Sequence, residues 1–238
     1  MREDLALFAV DYASKLGANY VDARLEDHYN ELIIVADGKV QRGVVNRKCG
    51  MGIRTLVDGA WGFQSTTDLT KKTIRQTAEI AFKMAKASSK HIMTPVKLAS
   101  TKAHKASYKT KVKVDLENVA FEDKLKQIIG WEKNLHTSKK IVRGLVEYTG
   151  IKINKTFVNS EGANICFFNL LTWASLKADS KKGSVTQFYE KTVGHSGGYE
   201  IFQKNDMEKI SSEIGHKAEN LLEAKAAKTE KDATVILN

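Results

Sequence analysis

Two cysteines, one proline and only seven arginines among 38 basic residues are what this 238-residue sequence has little of, and each shortage removes a class of reading. Cys49 and Cys166 stand far apart and neither belongs to a Cys-x-x-Cys pair, which excludes zinc-ribbon and thioredoxin-like sites. Two reduced thiols are the expectation, as in a cytoplasmic protein. No run approaches about 18 consecutive apolar residues, so no segment reads as a membrane span. The start, MREDLALFAVDYASKLG, breaks its apolar pattern with acidic and polar positions where a secretory signal needs an unbroken run. A cytoplasmic location is therefore expected. What the sequence does have is 42% hydrophobic and 8% aromatic residues, the composition of an ordinary globular chain long enough for one large domain or two small ones.

The formal net charge is +10, which raises the question of nucleic acid. The scarcity of arginine argues against it, because arginine is the side chain that grips phosphates and guanine edges bidentately. The lysines are also spread through nearly every segment. The densest stretch holds Lys97, Lys102, Lys105, Lys109, Lys111 and Lys113 among small and polar residues, the pattern of a solvated loop or edge strand.

Periodicity sets out the elements. Leu5, Phe8, Ala9, Tyr12, Ala13 and Leu16 share one helical face, with Glu3 and Asp4 in the first turn and Gly17 placed to end it. Val21, Ala23 and Leu25 then alternate with charged residues as in a half-buried strand. Asp37-Gly38 and Asp58-Gly59 each lie between strand-like runs and predict type I′ hairpins, giving about five antiparallel strands. A second helix presents Ile74, Thr77 or Ala78, Ala81, and Met84 or Ala85, capped by Asp68 or Thr70. The spacing predicts further helices over 116–135 and 206–227, with near-period-2 alternation over 141–202 turning at residues 159–162. The chain closes on the strand-like Ala233–Asn238, a hint that the natural sequence continues. The expected fold is α+β: antiparallel sheets with helices packed on one face, in two subdomains. Residues 1–92 would form an amino-terminal α+β domain, and residues 93–238 a second one ending on that final strand.

No complete catalytic or metal site is legible. His28, His91, His104, His136, His195 and His216 form no pair at i, i+4 and no His-Glu-x-x-His. Gly194-His195-Ser196-Gly197-Gly198 fits the Gly-x-Ser-x-Gly pattern, but a nucleophile elbow needs a helix directly after it, and GGYEIF reads as a strand. Gly50-Met51-Gly52 lacks the third glycine of a phosphate loop and leads into a strand.

The stretch Gly50-Met-Gly-Ile-Arg-Thr-Leu-Val-Asp-Gly-Ala-Trp-Gly-Phe-Gln-Ser-Thr66 closely resembles the amino-terminal signature of the TldD/PmbA family, the so-called modulators of DNA gyrase. Tyr20–Glu26, Asp37–Val40 and Asp68–Thr70 resemble the family's first strand, first hairpin and following helix start. Phe157-Val-Asn-Ser-Glu-Gly162 is similar to a motif of its middle domain, and Asp-Gly-Ala-Trp-Gly-Phe looks more like the TldD branch. The signature residues Gly52, Arg54, Asp58, Gly59, Trp61, Gly62, Phe63, Asn159, Glu161 and Gly162 are expected to be structural or to form an interface, with Trp61 and Phe63 packed first and partner-facing second. The resemblance implies a zinc metalloprotease acting on peptides or unfolded segments, as a homodimer or with a related TldD/PmbA subunit. Its catalytic element, His-Glu-x-x-x-His, matches no position here, so no catalytic or metal residue is carried over. This chain is accordingly expected to be the non-catalytic amino-terminal part, inactive alone and holding no stoichiometric zinc. The alternative is a stand-alone binding or scaffolding module whose basic surface meets nucleic acid or an acidic partner.

Overall fold

Apolar–polar alternation runs far along this chain, and in the computed structural model it becomes strands of 17 to 19 residues. The structure describes residues 3–99, 101–225 and 234; apart from Thr234, the predicted strand over 233–238 lies outside them. Helix α1 (Glu3–Lys15) leads into β1 (Tyr20–Ala36), β2 (Lys39–Val57), β3 (Ala60–Thr66) and α2 (Lys71–Ser89). After a long connection come β4 (Lys105–Lys109), a 3₁₀ turn (Leu116–Asn118), α3 (Phe121–Leu135), β5 (Ile141–Asn159), β6 (Asn164–Lys182), β7 (Val185–Ser196), the short α4 (Glu200–Lys204) and α5 (Met207–Leu221).

The fold is α+β, but its strands form one sheet and not two, in the order β3-β2-β1-β5-β6-β4 with β7 also on β6. Position 92 separates stretches of chain and does not divide the sheet, because β1 pairs antiparallel with β5 from Asp22↔Asn159 to Ala36↔Leu145. One pairing departs from the expected antiparallel pattern: β4 runs parallel to β6. The five strands expected before residue 90 are three. Asp27-His28-Tyr29-Asn30 is polar enough to suggest a break, yet β2 and β5 pair with it on both sides and keep the backbone extended. Its polar side chains are matched in place: Arg47 holds Asp27 through two nitrogens, His28 meets Glu26 and Tyr29 donates to Glu31. Both predicted hairpins are present, with Asp37-Gly38 (φ 51° and 70°) and Asp58-Gly59 (φ 48° and 82°) in the left-handed region that a type I′ turn requires.

The helices cover one face of this sheet in two groups. Val21, Ala23 and Leu25 of β1 pack with α1 and α2 at one end. Ile33 and Val35, on the same parity of the same strand, pack with α3 and α5 at the other. Between the groups lies Glu31. Both its carboxylate oxygens accept from Lys124 Nζ at 2.6 Å, and Tyr148 and Tyr29 hydroxyls donate to it at 2.7 and 2.6 Å. Burial, with Glu31 close by, pushes the Tyr148 phenol far above its ordinary value, so it remains a donor.

The predicted starts of α2 and α5 hold closely, whereas the helix expected from 116 begins at Phe121, after a 3₁₀ turn over Leu116–Asn118 that Asp115 caps. Thr70 caps α2 by accepting from Thr73 N, and Asp206 caps α5 by accepting from Lys209 N. The segment GGYEIF, read as a strand, instead enters α4, because Glu200 turns inward and its carboxylate accepts from Val114 N (2.9 Å) and Lys113 N (3.2 Å). Burial would raise the Glu200 carboxyl, but the backbone donors outweigh it and hold it below the ordinary 4.5. A depressed carboxyl stabilises the fold above its unfolded value, and that contribution is lost as pH falls through the folded one. Glu200→Gln is therefore expected to lower the melting temperature at pH 7 and to lower it by less at about pH 3. An equal loss at both pH values would remove this role for the charge.

Candidate functional site

Strand alternation sends the even residues of β1 to the face that carries no helix, and the register of the sheet gathers half of the signature there. Tyr20, Asp22 and Arg24 pair with Leu56, Arg54 and Gly52 on β2; Arg54 and Leu56 in turn pair with Phe63 and Trp61 on β3. Asn159 and Phe157 stand beside Asp22 and Arg24 from β5. Segments more than a hundred residues apart in sequence thus meet on one patch.

Asp22 is its buried anchor, 1% exposed. Arg54 grips it through Nε and a terminal nitrogen at 2.8 and 2.7 Å, while Arg24 approaches to 3.6 Å. The Arg54 guanidinium lies 4.2 Å from the Trp61 ring centre, Tyr20 meets Trp61 edge-on, and Arg24 lies over Phe157 at 5.4 Å. Charge and π face are paired in each case, which holds both arginines flat against the sheet. Burial pushes the Tyr20 phenol up against the opposing effect of its bond from Asn159 Nδ2. Further along, Lys155 and His28 converge on Glu26 at 2.5 and 2.8 Å; burial would raise that carboxyl, but the two donors hold it below the usual range. A shallow cleft of about 400 Å³ runs here past Arg24, Glu26, His28, Gly52 and Phe63.

Each signature residue now has a placement. Asp58-Gly59 forms the hairpin turn, which the connection after α2 crosses with Val96 N donating to Gly59 O. Gly62 faces α2, where a Cβ would lie 2.0 Å from Ala81 O. Trp61 is half-buried as expected of a packed residue. Phe63 is not: it rests across Gly52 but is 54% exposed, because no helix covers its side of the sheet. Asn159, Glu161 and Gly162 build the β5–β6 turn. Asn159 Oδ1 accepts from Glu161 N and Ala163 N, Gly162 takes φ 87°, and Glu161 accepts from Thr101 Oγ1. These three shape the turn, whereas Arg54, Trp61 and Phe63 form a surface.

The Gly-x-Ser-x-Gly motif does not assemble. The His195 ring meets the backbone, with Nε2 2.9 Å from Gly198 O. No disulfide joins Cys49 on β2 to Cys166 on β6.

At the opposite end of the sheet the structure brings together three residues that the search for paired histidines passed over. Asp37 in the β1–β2 turn, Glu132 on α3 and His136 one turn further place a donor atom each within 4.8 Å of one another. Glu-x-x-x-His on a predicted helix was the available signal for two of them. Asp37 comes from 95 positions before Glu132, and only the sheet brings it there. The zinc element that the family resemblance implies has no counterpart among the described residues, since none of the six histidines is followed by glutamate.

Comparison with known proteins agrees with the signature. Residues 21–85 match the model of the PmbA/TldA metallopeptidase domain 1. A metalloprotease of Methanothermobacter thermautotrophicus is 27% identical over 214 residues, covering 86% of this chain and 44% of that protein. A metalloprotease of Methanocaldococcus jannaschii is 27% identical over 213 residues, covering 87% and 45%. The chain thus spans a little under half the length of these curated relatives. Among solved structures, a candidate modulator of DNA gyrase from Bacteroides thetaiotaomicron shares the fold at TM-score 0.68, with 16% identity over 92% of this chain and 48% of that one. TldE from Thermococcus kodakarensis does so at TM-score 0.67, with 17% identity over 91% and 47%. At such identities these two establish the fold alone. The chain carries a first domain of the PmbA/TldA metallopeptidase type. The domain match and the two metalloprotease relatives together support an assignment to the TldD/PmbA family. No helix among the described residues is long and apolar enough to cross a membrane.

Proposed function

We propose that this chain is the amino-terminal, non-catalytic portion of a TldD-type metalloprotease that processes peptides or unfolded segments. The observation that carries the reading is the domain 1 match over residues 21–85 in a chain spanning 44% and 45% of its metalloprotease relatives. The absence of any His-Glu-x-x-x-His from the sequence supports it, and the Asp58–Phe63 form favours the TldD branch. In this reading the helix-free face, with Arg54, Trp61 and the exposed Phe63, pairs with the catalytic portion, with a second copy or with a related TldD/PmbA subunit. Zinc chemistry, which would activate water for hydrolysis, belongs to that catalytic portion. The protein works in the cytoplasm, consistent with its unlinked cysteines.

The purified 238-residue chain is expected to leave casein intact with or without added zinc, over hours and at micromolar concentration. Chelator-sensitive cleavage by the chain alone would sink the reading. The alternative, a stand-alone module with a basic surface, draws support from the exposed outer half of β2, where Lys39, Arg42, Arg47 and Lys48 follow one another along the stretch that β3 does not reach. DNA affinity that falls steeply with salt would favour it.

A further inference from the structure

We propose that Asp37, Glu132 and His136 form a binding site for a divalent transition cation of the zinc class. Three segments build it. Asp37 sits at φ 51° in the β1–β2 turn, where its Oδ1 accepts from Gly144 N at 3.0 Å. Glu132 Oε2 accepts from Gly38 N at 3.0 Å, and Glu132 Oε1 faces His136 Nε2 at 2.8 Å. Two carboxylates are thus each fixed by one backbone N–H, with Glu132 Oε1 on the imidazole and a ligand atom of Asp37 within 4.8 Å of both. The residue beneath them is Gly144: a Cβ there would stand 2.4 Å from Glu132 Oε1 and 2.7 Å from His136 Nε2.

A second observation points to a ligand. Glu132 is 1% exposed, and among the described residues no lysine or arginine pairs with it; its single ion-pair partner is His136. Of the other buried carboxylates, Asp22 has Arg54 and Glu31 has Lys124 as counter-charge, whereas Glu132 has the Gly38 N–H on one oxygen and only the exposed His136 imidazole on the other. A buried carboxylate short of counter-charge is costly, and a cation is what offsets it. The three donors also border a cleft of about 530 Å³, lined further by Ile129, Lys133 and Val142. One imidazole nitrogen and two carboxylate oxygens suit zinc, whose ligands stand at about 2.0–2.2 Å and hence about 3.4 Å apart in a tetrahedron. The observed separations, within 4.8 Å, reach that by modest side-chain rotation, with the 2.8 Å Glu132–His136 pair opening slightly. The fourth position opens to the cleft, where Lys133 favours an anion or water as the remaining ligand. Binding removes the His136–Glu132 hydrogen bond and ties α3 to the β1–β2 turn. It also reverses the expectation, drawn from histidine spacing, that this chain holds no zinc.

Calorimetric titration of the chelator-treated chain with Zn²⁺ is the test. About one equivalent is expected to bind, with a rise in melting temperature. His136→Ala and Asp37→Asn are each expected to weaken binding by at least about tenfold, the scale on which even groups one bond removed from a metal act. Asn tolerates a left-handed backbone, so Asp37→Asn keeps the turn and reports on the ligand if other variants fail to fold. His28→Ala, which removes the other histidine paired with a carboxylate, is expected to leave binding unchanged. Substoichiometric binding by the wild-type chain, or equal binding by Asp37→Asn and His136→Ala, would overturn the site. Neither result depends on the casein assay, so this proposal and the functional reading fail separately.

Discussion

Gly62→Val is expected to destabilise the chain by about 3 kcal/mol or more, with Gly62→Ala only somewhat milder. The reason is what a Cβ would meet. Ala81 O lies 2.0 Å from its ideal position, Ala85 N 2.5 Å and the Ala85 Cβ 3.0 Å. The two nearest obstacles are helix backbone atoms, which cannot rotate aside as a side-chain tip can. Helix α2 must therefore draw back from β3, opening the layer in which Ile74, Ala78, Ala81 and Ala85 are buried. Urea unfolding provides the measurement, read as a fall in midpoint at unchanged slope. Gly130→Ala in α3 is the matched control. A methyl group there meets nothing within 4 Å and gains helix propensity, so it should be neutral or slightly stabilising. A Gly62→Val midpoint within about 0.5 kcal/mol of wild type would mean that α2 does not approach β3 this closely.

Lys124→Met is expected to cost about 3–5 kcal/mol, the range for breaking a buried ion pair by removing one partner. Lys124 is 0% exposed, and its ammonium donates to both oxygens of Glu31 and to Leu116 O. Without it Glu31 keeps its two tyrosine donors but loses its counter-charge in a place water does not reach. Combining Lys124→Met with Glu31→Gln removes the charge as well as its partner and should recover much of the loss. The coupling is read from a double-mutant cycle on the same urea transitions. Additive single losses would show that the pair does not act as a unit.

The contrast between these two positions indicates what the sequence makes legible. The hairpins at Asp37-Gly38 and Asp58-Gly59 were readable because their conformation is a local demand on two residues. The start of α2 at Asp68 or Thr70 and the start of α5 at 206 were readable for the same reason, as was most of the buried stripe of α2. The Glu31–Lys124 pair was not, since 93 residues separate the partners and each looks like a solvated charge in its own segment. Polar stretches within β1 concealed its length, because only its two neighbours show that the backbone stays extended. Glu200 misled in the opposite sense: its apolar neighbours suggested a strand, while its carboxylate seeks the backbone at Val114. In the candidate sites, the signature around Arg54 and Trp61 stood out through its resemblance to a family. The convergence of that signature with Asn159, and of Asp37 with Glu132 and His136, depends on sheet register, which no single stretch encodes.

The order in which β1 finds its neighbours has a consequence for how the protein is made. β2 follows β1 across a two-residue turn, but β5, on its other side, begins more than a hundred residues after β1 ends. At roughly 5–20 residues per second, a ribosome takes roughly five to twenty seconds to cover that interval. Through that time the nascent hairpin carries a bare hydrogen-bonding edge of fifteen-odd residues, a template for pairing with another chain. Asp22, Arg24, Glu26, His28 and Asn30 place polar and charged groups along that waiting strand, and such gatekeepers disfavour wrong partners until the right one arrives.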